Sequence, residues 1–406
     1  MTRLPAARIP SRIDPGLMLA LGFVAMAGSL STDLYLPAFP DIAATFQVEA
    51  SAVQLTMTAF LVGSAAGQLC IGAFSDALGR RRTLLAALAL FVMCAYLAAA
   101  SPSLAVLVLI RAVQGFAGSA GAVLARAIVS DIADKQQAVR AFSMLWAMIA
   151  LAPTVATPLG GWLTQTGGWR AALLGVAVVA TAMLVVTALV IPESLPPERR
   201  HPFTARAIAG NIGRLLRDGA FVGYAVAFGL GYGTLIVYIS SSSFIVQNIF
   251  GTTPLVYSLT FSFTGLCIMA GAWLSGRIAQ RIGTGRMLLI AQLMQLCSAA
   301  VAAILVVNGA LGLVGYLPLM AVFCLGCGAV MSTASAIAVG RATRTAGTGS
   351  ALVGFSQFTF GALASPLGGL FGTDTALPAL FFMSLLPVLA IGAAALGRVQ
   401  ESRRPA

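Results

Sequence analysis

The chain has 406 residues, of which 59% are hydrophobic and only 9% charged, and its mean hydropathy is +0.94. Soluble globular domains carry a charged share of about 25%, so this composition excludes that class of protein. The formal net charge of +12 would suit a nucleic-acid partner, but the placement of the charges argues for another cause. All six cysteines lie within apolar runs, which gives no disulfide framework.

The first apolar run holds the one acid that lies inside a predicted span. Residues 17–39 form a run of 23 residues in which Asp33 is the only charge. As a helix that rises ~1.5 Å per residue, this run is long enough to cross a hydrocarbon core of ~30 Å. The other eleven acids fall at or beyond the ends of apolar runs. An ionisable group inside a membrane must face a bundle interior or a wet cavity, so Asp33 is the leading functional candidate.

Apolar runs of spanning length recur along the whole chain and predict an all-α membrane protein with twelve transmembrane helices. The predicted spans are 17–39, 51–73, 83–100, 104–128, 141–163, 170–191, 219–243, 254–275, 287–306, 311–339, 349–370 and 377–397. A polar segment divides them into two sets of six. We therefore predict a cytoplasmic tail at 1–16, a six-helix half at 17–191, a cytoplasmic linker at 192–218, a second half at 219–397 and a tail at 398–406.

The basic residues predict how these helices are oriented. With the N-terminus inside, all but three of the 24 Lys and Arg residues fall in cytoplasmic segments. The exceptions are Arg111 and Arg126 within the fourth span and Arg170 at an outer end. This bias follows the positive-inside rule and predicts that both termini are cytoplasmic. It also explains the net charge as a topology signal facing anionic lipid, which argues against nucleic acid as a partner.

Two pairs of similar segments indicate that the halves are duplicated. The segment 72–79, followed by three arginines, has a counterpart at 276–283, an offset of 204 residues. Pro158-Leu-Gly-Gly161 has a counterpart in Pro366-Leu-Gly-Gly369, an offset of 208 residues. Two pairs at nearly the same offset favour parallel six-helix repeats around a cavity at the bilayer midplane, which is an architecture of secondary transporters.

Several segments resemble motifs of the major facilitator superfamily. Gly72-x-x-x-Asp76-x-x-Gly79-Arg-Arg-Arg82 resembles its cytoplasmic loop motif, and Leu109-Ile-Arg111-Ala-Val-Gln114-Gly115 resembles its fourth-helix motif. Ala152-Pro153-x-x-x-x-Pro158-Leu-Gly160-Gly161 resembles the fifth-helix motif of its drug antiporters, with Ala152 in place of the expected glycine. Ser31-Thr-Asp-Leu-Tyr-Leu-Pro-Ala-Phe-Pro40 and Leu195-Pro-Pro-Glu-Arg-Arg200 are similar to segments of the Bcr/CflA subfamily of drug:proton antiporters. The resemblance runs from about residue 17 to 397 and implies export of drugs in exchange for protons.

The first loop motif combines turn-forming glycines with an acid and several arginines. Its glycines permit a sharp turn and close helix contact. We predict a conformational latch here, in which Asp76 pairs with a nearby arginine in one state and releases it in another. The latch candidates are Gly72, Asp76, Gly79, Arg80 and Arg81. The alternative is a static topology loop, and the second copy differs because Gln280 replaces the acid.

Arg111 is the second candidate for proton coupling. It lies on a small-residue face of the fourth span, at a depth comparable to that of Asp33. A guanidinium keeps its charge even when buried, so Arg111 can tune a titrating carboxyl but cannot replace it. The alternative is a structural arginine bonded to helix carbonyls.

The fifth span contains two prolines and two adjacent glycines. Prolines remove backbone hydrogen bonds and bend a helix, whereas glycines permit close helix contact. The pattern predicts a kinked, tightly packed seam that suits rocking of one half against the other. The residues concerned are Pro153, Pro158, Gly160 and Gly161. An ordinary proline kink, common in membrane helices, would give the same pattern.

Aromatic and hydroxyl side chains are candidates to line a substrate cavity. Thr32 and Tyr35 lie in the first span, and Tyr232 and Tyr238 lie in the seventh. Such side chains can provide an apolar cavity with a few polar groups that orient a ligand. Aromatic residues near span ends are also typical of the membrane-interface belt, which is the alternative interpretation.

The sequence therefore predicts a proton-coupled exporter of amphipathic drugs that acts by alternating access, with Asp33 as the proton site. We expect it to be a monomer of the cell inner membrane, whose partners are the drug, protons and the lipid bilayer. The alternative is a proton-coupled exporter or importer of a small metabolite such as a sugar, amino acid or peptide. We predict no enzyme activity, no cofactor and no metal, because the only histidine, His201, lies in a predicted loop and no paired carboxylates lie within spans.

Overall fold

The structure is a computed structural model that describes residues 14–132, 135–200, 213, 215–341, 346–370, 372 and 375–402. Most of the predicted tail 1–16, residues 201–212 and 214 of the predicted linker, and residues 403–406 of the second tail lie outside the described residues.

The described chain is built from α-helices joined by short turns. In chain order they are α1 (Pro15–Ala25), α2 (Ala27–Asp33), α3 (Phe39–Phe46), α4 (Ala50–Leu78), α5 (Arg80–Ala99), α6 (Leu104–Ile132), α7 (Lys135–Val190), α8 (Gly219–Phe244), α9 (Pro254–Ile282), α10 (Thr284–Val307), α11 (Leu313–Arg341), α12 (Ala346–Ala364) and α13 (Leu377–Ser402). A single π-helical turn, Ile245–Ile249, extends α8.

These helices contain the twelve predicted spans. In the described part of the chain, nine helices are long and apolar enough to cross a membrane, and the bent pair 15–25 and 27–46 makes a tenth. The helix α7 consists of two legs, because Gly168 has φ +72° and ψ −175° and so interrupts the helix. Ala346–Ala364 supplies one more apolar helix, and observed and predicted bounds agree within a few residues at most ends.

The first predicted span differs from expectation, because it is not one continuous helix. Its parts before and after Met26 meet at 46°, and α2 ends at Asp33 before the 3-10 turn Leu36–Ala38. Thr32 Oγ1 donates to the carbonyl oxygens of Gly28 and Ser29 at 3.2 and 2.9 Å, a local bond that often bends helices. Because α2 ends before this turn, Asp33 lies at a helix end rather than in the middle of a regular helix.

The buried side chains form one core that joins the two halves and two cores that do not. We call the end of the bundle that contains Gln54 the Gln54 end, and the opposite end, which contains Arg80, the Arg80 end. Towards the Gln54 end, one core includes Leu34 and Phe39 of the first half with Phe244 and Tyr257 of the second. Towards the Arg80 end, the first half and the second half have separate cores. The halves are thus packed together at the Gln54 end.

Large apolar side chains cover the outside of the helix bundle. Leu109 is 69% exposed, Leu189 80% and Val314 87%. A soluble protein rarely exposes so many large apolar groups, whereas lipid chains solvate them without cost. The surface is therefore that of a protein embedded in a bilayer.

Candidate functional site

Asp33 is buried where the two halves meet. It is 6% exposed. Its Oδ1 has one weak partner, the Thr32 hydroxyl at 3.5 Å, and its Oδ2 has no hydrogen-bond partner. Two tyrosines of the second half, Tyr232 and Tyr257, lie near enough to this carboxyl to interact with it electrostatically. Because an ionised carboxylate is costly to bury without partners, this environment favours the neutral acid.

Arg111 is held by neutral partners rather than by an acid. It is 0% exposed, and its Nη1 donates to Ser31 Oγ at 2.8 Å and to Gln114 Oε1 at 2.9 Å. The guanidinium also lies over the rings of Tyr35 and Phe60, 4.9 and 4.3 Å from their centroids. These cation–π contacts partly replace water around a buried charge.

No hydrogen bond or ion pair joins Arg111 to Asp33 in the described residues. Ser31, which receives the Arg111 hydrogen bond, is two positions before Asp33, so the two side chains project from different sides of α2. The Nε and Nη2 atoms of Arg111 are buried without partners. Any influence of Arg111 on Asp33 in this conformation therefore acts through space rather than by direct contact.

The four candidates for the substrate cavity have different environments. Thr32 bonds to its own helix, as described above. The Tyr35 hydroxyl pairs with Thr56 Oγ1 at 2.8 Å, and the Tyr238 hydroxyl pairs with Thr264 Oγ1 at 2.7 Å. Each half thus pairs a tyrosine of its first span with a threonine of its second span.

Tyr232 is the candidate whose ring is only partly buried. Its ring packs edge-on against Phe358 of α12, with 6.1 Å between centroids, and its hydroxyl interacts with Gln357. Tyr35 and Tyr238, in contrast, are 0% and 3% exposed and are packed within the core in this conformation. Tyr257 and Phe358 were not singled out from the sequence, because a tyrosine and a phenylalanine in apolar runs give no signal of which residue they will face.

The predicted latch residues form a charged cluster at the Arg80 end. Arg80 Nη1 forms an ion pair with Asp76, and Arg80 Nε lies 3.0 Å from Asp131 Oδ2 at the end of α6. The hydroxyl of Ser194, after α7, donates to the same Asp131 oxygen at 2.9 Å. The segment that begins the predicted linker is therefore tied to the latch residues.

The remaining latch candidates have distinct surroundings. Gly79 has φ +101°, a conformation that L side chains rarely adopt, and it lets α4 end directly before α5. Arg81 Nη2 donates to the Ala188 carbonyl at 2.6 Å. A Cβ at Gly72 would meet only Val123, at 3.9 Å, so Gly72 has no close neighbour that requires glycine.

Asp131 and Glu193 were missed from the sequence, since their partners lie 51 and 113 residues away.

The first leg of α7, which contains the segment that resembles the antiporter motif, packs against α9 of the second half. A Cβ at Gly160 would overlap the Leu34 carbonyl, and one at Gly161 would overlap Ser258 Oγ. Pro158 has no N–H, so the carbonyl of Thr154 lacks its helical partner. Ser262 Oγ of α9 lies 3.5 Å from that carbonyl oxygen. The prolines and glycines thus place α7 in a close seam between the halves.

Comparison with known proteins is consistent with this architecture. The profile described as Major Facilitator Superfamily matches residues 20–366. An uncharacterized MFS-type transporter, YdgK of Bacillus subtilis, is 35% identical over 89% of this chain and 90% of its own length. The bicyclomycin resistance protein homolog of Haemophilus influenzae is 30% identical over 92% of this chain and 94% of its own. The chloramphenicol resistance protein of Pseudomonas aeruginosa is 27% identical over 93% and 90%.

Solved structures share the fold at low sequence identity. A bacterial homolog of the human lysosomal transporter Spinster, in an inward-facing and unoccupied conformation, has a TM-score of 0.76, 13% identity and coverage of 96% of this chain and 98% of its own. The partially occluded inward-open xylose transporter XylE of E. coli has a TM-score of 0.74, 14% identity and coverage of 96% and 97%.

These relatives and structural neighbours are transporters rather than enzymes. The resistance-protein relatives confirm the predicted resemblance to Bcr/CflA-type drug transporters. Together with the apolar helix bundle, its two halves and the matched profile over most of the chain, they show that this chain belongs to the major facilitator superfamily of membrane transporters.

Proposed function

We propose that this protein exports amphipathic drugs in exchange for protons, with Asp33 as the proton-binding group. The observation that carries this proposal is the carboxyl of Asp33, which lies buried between the halves with one oxygen unpartnered and tyrosines of the second half nearby. In this packed arrangement the neutral acid is favoured, because the carboxyl is buried and no cation among the described residues contacts it. Separation of the halves would admit water and allow the carboxyl to ionise.

The proton and the drug bind alternately at the site that contains Asp33. An ionised Asp33 in an open cavity can attract a cationic drug or accept a hydrogen bond from a polar one. A protonated Asp33 can be buried again when the halves close. Either occupant thus offsets the cost of burying the ionised carboxyl, so the halves can change arrangement with a drug or a proton bound but not with the site empty, which couples the two movements.

The orientation in the membrane determines which side of the protein is closed. If both termini are cytoplasmic, as the positions of the basic residues indicate, the Arg80 end faces the cytoplasm and the Gln54 end faces outward. The structure is then closed towards the outside. We place the protein in the cell inner membrane as a monomer, and its similarity to drug-resistance proteins supports drugs as the solutes and export as the direction.

The test uses the purified protein in liposomes with an imposed pH gradient. Bicyclomycin and chloramphenicol represent the drug class, and a sugar, an amino acid and a dipeptide represent the metabolite alternative. We expect gradient-driven movement of at least one drug, coupled to an opposite movement of protons reported by a pH-sensitive dye. Movement of a metabolite together with protons, with no drug transported, would support the alternative function.

A further inference from the structure

Three buried residues at the Gln54 end form a closed ring of hydrogen bonds. Gln54 Nε2 donates to the carbonyl of Ser240 at 3.1 Å. Ser240 Oγ donates to the carbonyl of Ser365 at 2.8 Å. Ser365 Oγ donates to the carbonyl of Gln54 at 3.2 Å, which completes the ring. Each residue is 0% exposed, and each donates from its side chain to the backbone of the next.

The ring contains bonds of two kinds. Ser240, near the end of α8, and Ser365, just after α12, both belong to the second half, so the bond between them lies within that half. Gln54, in the first turns of α4, belongs to the first half, and both of its ring bonds cross between the halves. When the halves separate at this end, the bond between the serines can persist while both bonds of Gln54 must break.

Two glycines of the second half allow close packing near Gln54, both against α4 and within that half. A Cβ at Gly369 would lie 2.8 Å from Gln54 Oε1 and 2.8 Å from the backbone nitrogen of Ser51. A Cβ at Gly368 would overlap Ser241 Oγ. Since the contacts of Gly369 include backbone atoms of Ser51, a side chain at Gly369 would push α4 away from the second half, whereas one at Gly368 would disturb the packing within the second half. This gives a packing role to the repeated Pro366-Leu-Gly-Gly369 segment.

The two copies of this segment occupy equivalent seams. In the first copy, Gly160 packs on Leu34 of its own half and Gly161 packs on Ser258 of the opposite half. In the second copy, Gly368 packs on Ser241 of its own half and Gly369 packs on Gln54 of the opposite half. Gln54 and Ser258 are separated by 204 residues, which is the repeat offset of the loop motif. The ring therefore marks the second of two symmetry-related seams.

We propose that Gln54, Ser240 and Ser365 form a lock that holds the Gln54 end closed, and that Gln54 is the member that disengages when this end opens. The bonded pair Ser240 and Ser365 remains in place in the second half. Gln54 binds to this pair through its side-chain N–H, which donates to the Ser240 carbonyl, and its own carbonyl, which accepts from the Ser365 hydroxyl. Opening exposes polar groups, which water can satisfy. The lock acts on the closed state itself, whichever solute is carried, so its test needs no transport and is independent of the proposed function.

The experiment measures the distance between the halves at this end in the full-length protein. Spin labels are placed at Glu49→Cys and Ala310→Cys, two exposed positions in opposite halves, after the six native cysteines are replaced. In membranes, an average interhelical hydrogen bond changes an equilibrium about threefold. Gln54→Leu and Ser365→Ala should each raise the ratio of long to short distances about threefold, and the double variant about eightfold, because each removes a different bond.

Two matched variants separate a lock from general loosening. Ser240→Ala removes only the bond within the second half and leaves the Ser240 carbonyl to accept from Gln54, so the distances should change little. Gln292→Leu removes another buried glutamine, 1% exposed, which lies within the second half. Unchanged distances in both Gln54→Leu and Ser365→Ala would overturn the proposal, as would an equal change in Gln292→Leu. If Gln54→Leu does not fold, Ser365→Ala alone decides, since it removes a single hydroxyl.

Discussion

The backbone N–H of Arg80 donates a hydrogen bond to Glu193, with 2.8 Å between the nitrogen and Oε1, although 113 residues separate the two. Glu193 Oε1 also accepts from the backbone N–H of Leu195 at 3.1 Å, and Arg200 lies 3.9 Å from Oε2. The chain after α7 is thus fastened to the turn between α4 and α5. A Cβ at Gly79 would lie 2.5 Å from Glu193 Oε2, so the turn and the carboxylate are in close contact.

This contact should contribute to the stability of the first half. Glu193→Gln keeps an acceptor oxygen but removes the charge that strengthens its bonds to backbone N–H groups. Because Glu193 is 24% exposed, we expect a modest loss of about 1 kcal/mol, seen as a lower thermal midpoint of the purified protein. Glu198→Gln is the control, since this neighbouring acid is exposed. Equal midpoints for the two variants would show that the contact is not stabilising.

Asp33→Asn should abolish proton-driven transport and leave the protein folded. The amide is nearly the same size as the carboxyl but cannot bind and release a proton. We therefore expect no gradient-driven efflux, while exchange of labelled for unlabelled solute at equal pH continues, because that exchange needs no net proton movement. Glu49→Gln, a change at an exposed acid, is the matched control. Robust gradient-driven efflux by Asp33→Asn would remove Asp33 from the proton pathway.

Arg111 variants test whether its charge acts on the proton site. A cation near a carboxyl favours the ionised form, so its removal lets the carboxyl keep its proton to higher pH. Arg111→Ala should therefore move the pH optimum of transport upward, and Arg111→Lys should retain partial transport with a smaller shift. Ser31→Ala, which removes one Arg111 hydrogen bond and no charge, should leave the pH optimum in place. Loss of expression with an unchanged pH profile would instead indicate a structural arginine.

The seam between α7 and α9 should tolerate a methyl group at one glycine and not at another. Gly161→Ala would place a methyl against Ser258 and 2.7 Å from the Pro254 carbonyl, so α7 and α9 must separate. Gly265→Ala, in the same seam, would meet only Pro153, at 3.7 Å. We expect Gly161→Ala to lower the transport rate at least tenfold and Gly265→Ala to retain most of it. Initial rates in vesicles with equal protein content decide this, and similar rates would contradict the packing argument.

If Asp33 carries all the protons, each transport cycle should return at most one proton. Asp33 is the only acid inside a predicted span. Export of a neutral drug then moves one net charge inward and responds to the membrane potential, by about 2.3 kcal/mol per 100 mV. Export of a monovalent cation moves no net charge and responds only to the pH gradient, while a divalent cation is opposed by the potential. Liposomes with the two gradients set separately test this, and cation efflux driven by potential alone would point to a second titrating group.

The sequence was most informative where physical chemistry acts locally. Apolar runs and glycines allowed us to predict the lengths of the spans, the break near Gly168 and the turn at Gly79 between α4 and α5. The break in the first span was missed, because no proline lies between Pro15 and Pro37 to mark it. Asp33 could be selected as a single acid in an apolar run, and the structure buries it with Tyr232 and Tyr257 of the second half nearby.

Contacts between distant segments could not be predicted in the same way. The hydroxyl of Tyr238 pairs with Thr264, and Gln54 with Ser240, which is 186 positions away. Nothing in one sequence indicates which of many serines and threonines such a side chain will meet. The repeat of Pro-Leu-Gly-Gly was visible, but its role in the seam needed the position of Gln54 relative to Gly369.

The attachment of Glu193 to the turn before Arg80 also determines where the polypeptide can be divided. The chain up to Arg200 contacts the first half through Glu193 and Ser194, so structurally it is part of that half. A protein expressed as two separate polypeptides, cut just after Arg200, would keep every one of these contacts within the first fragment. The two fragments would then have to recognise each other through the contacts between the halves, and their reassembly into an active transporter would report on the strength of that interface.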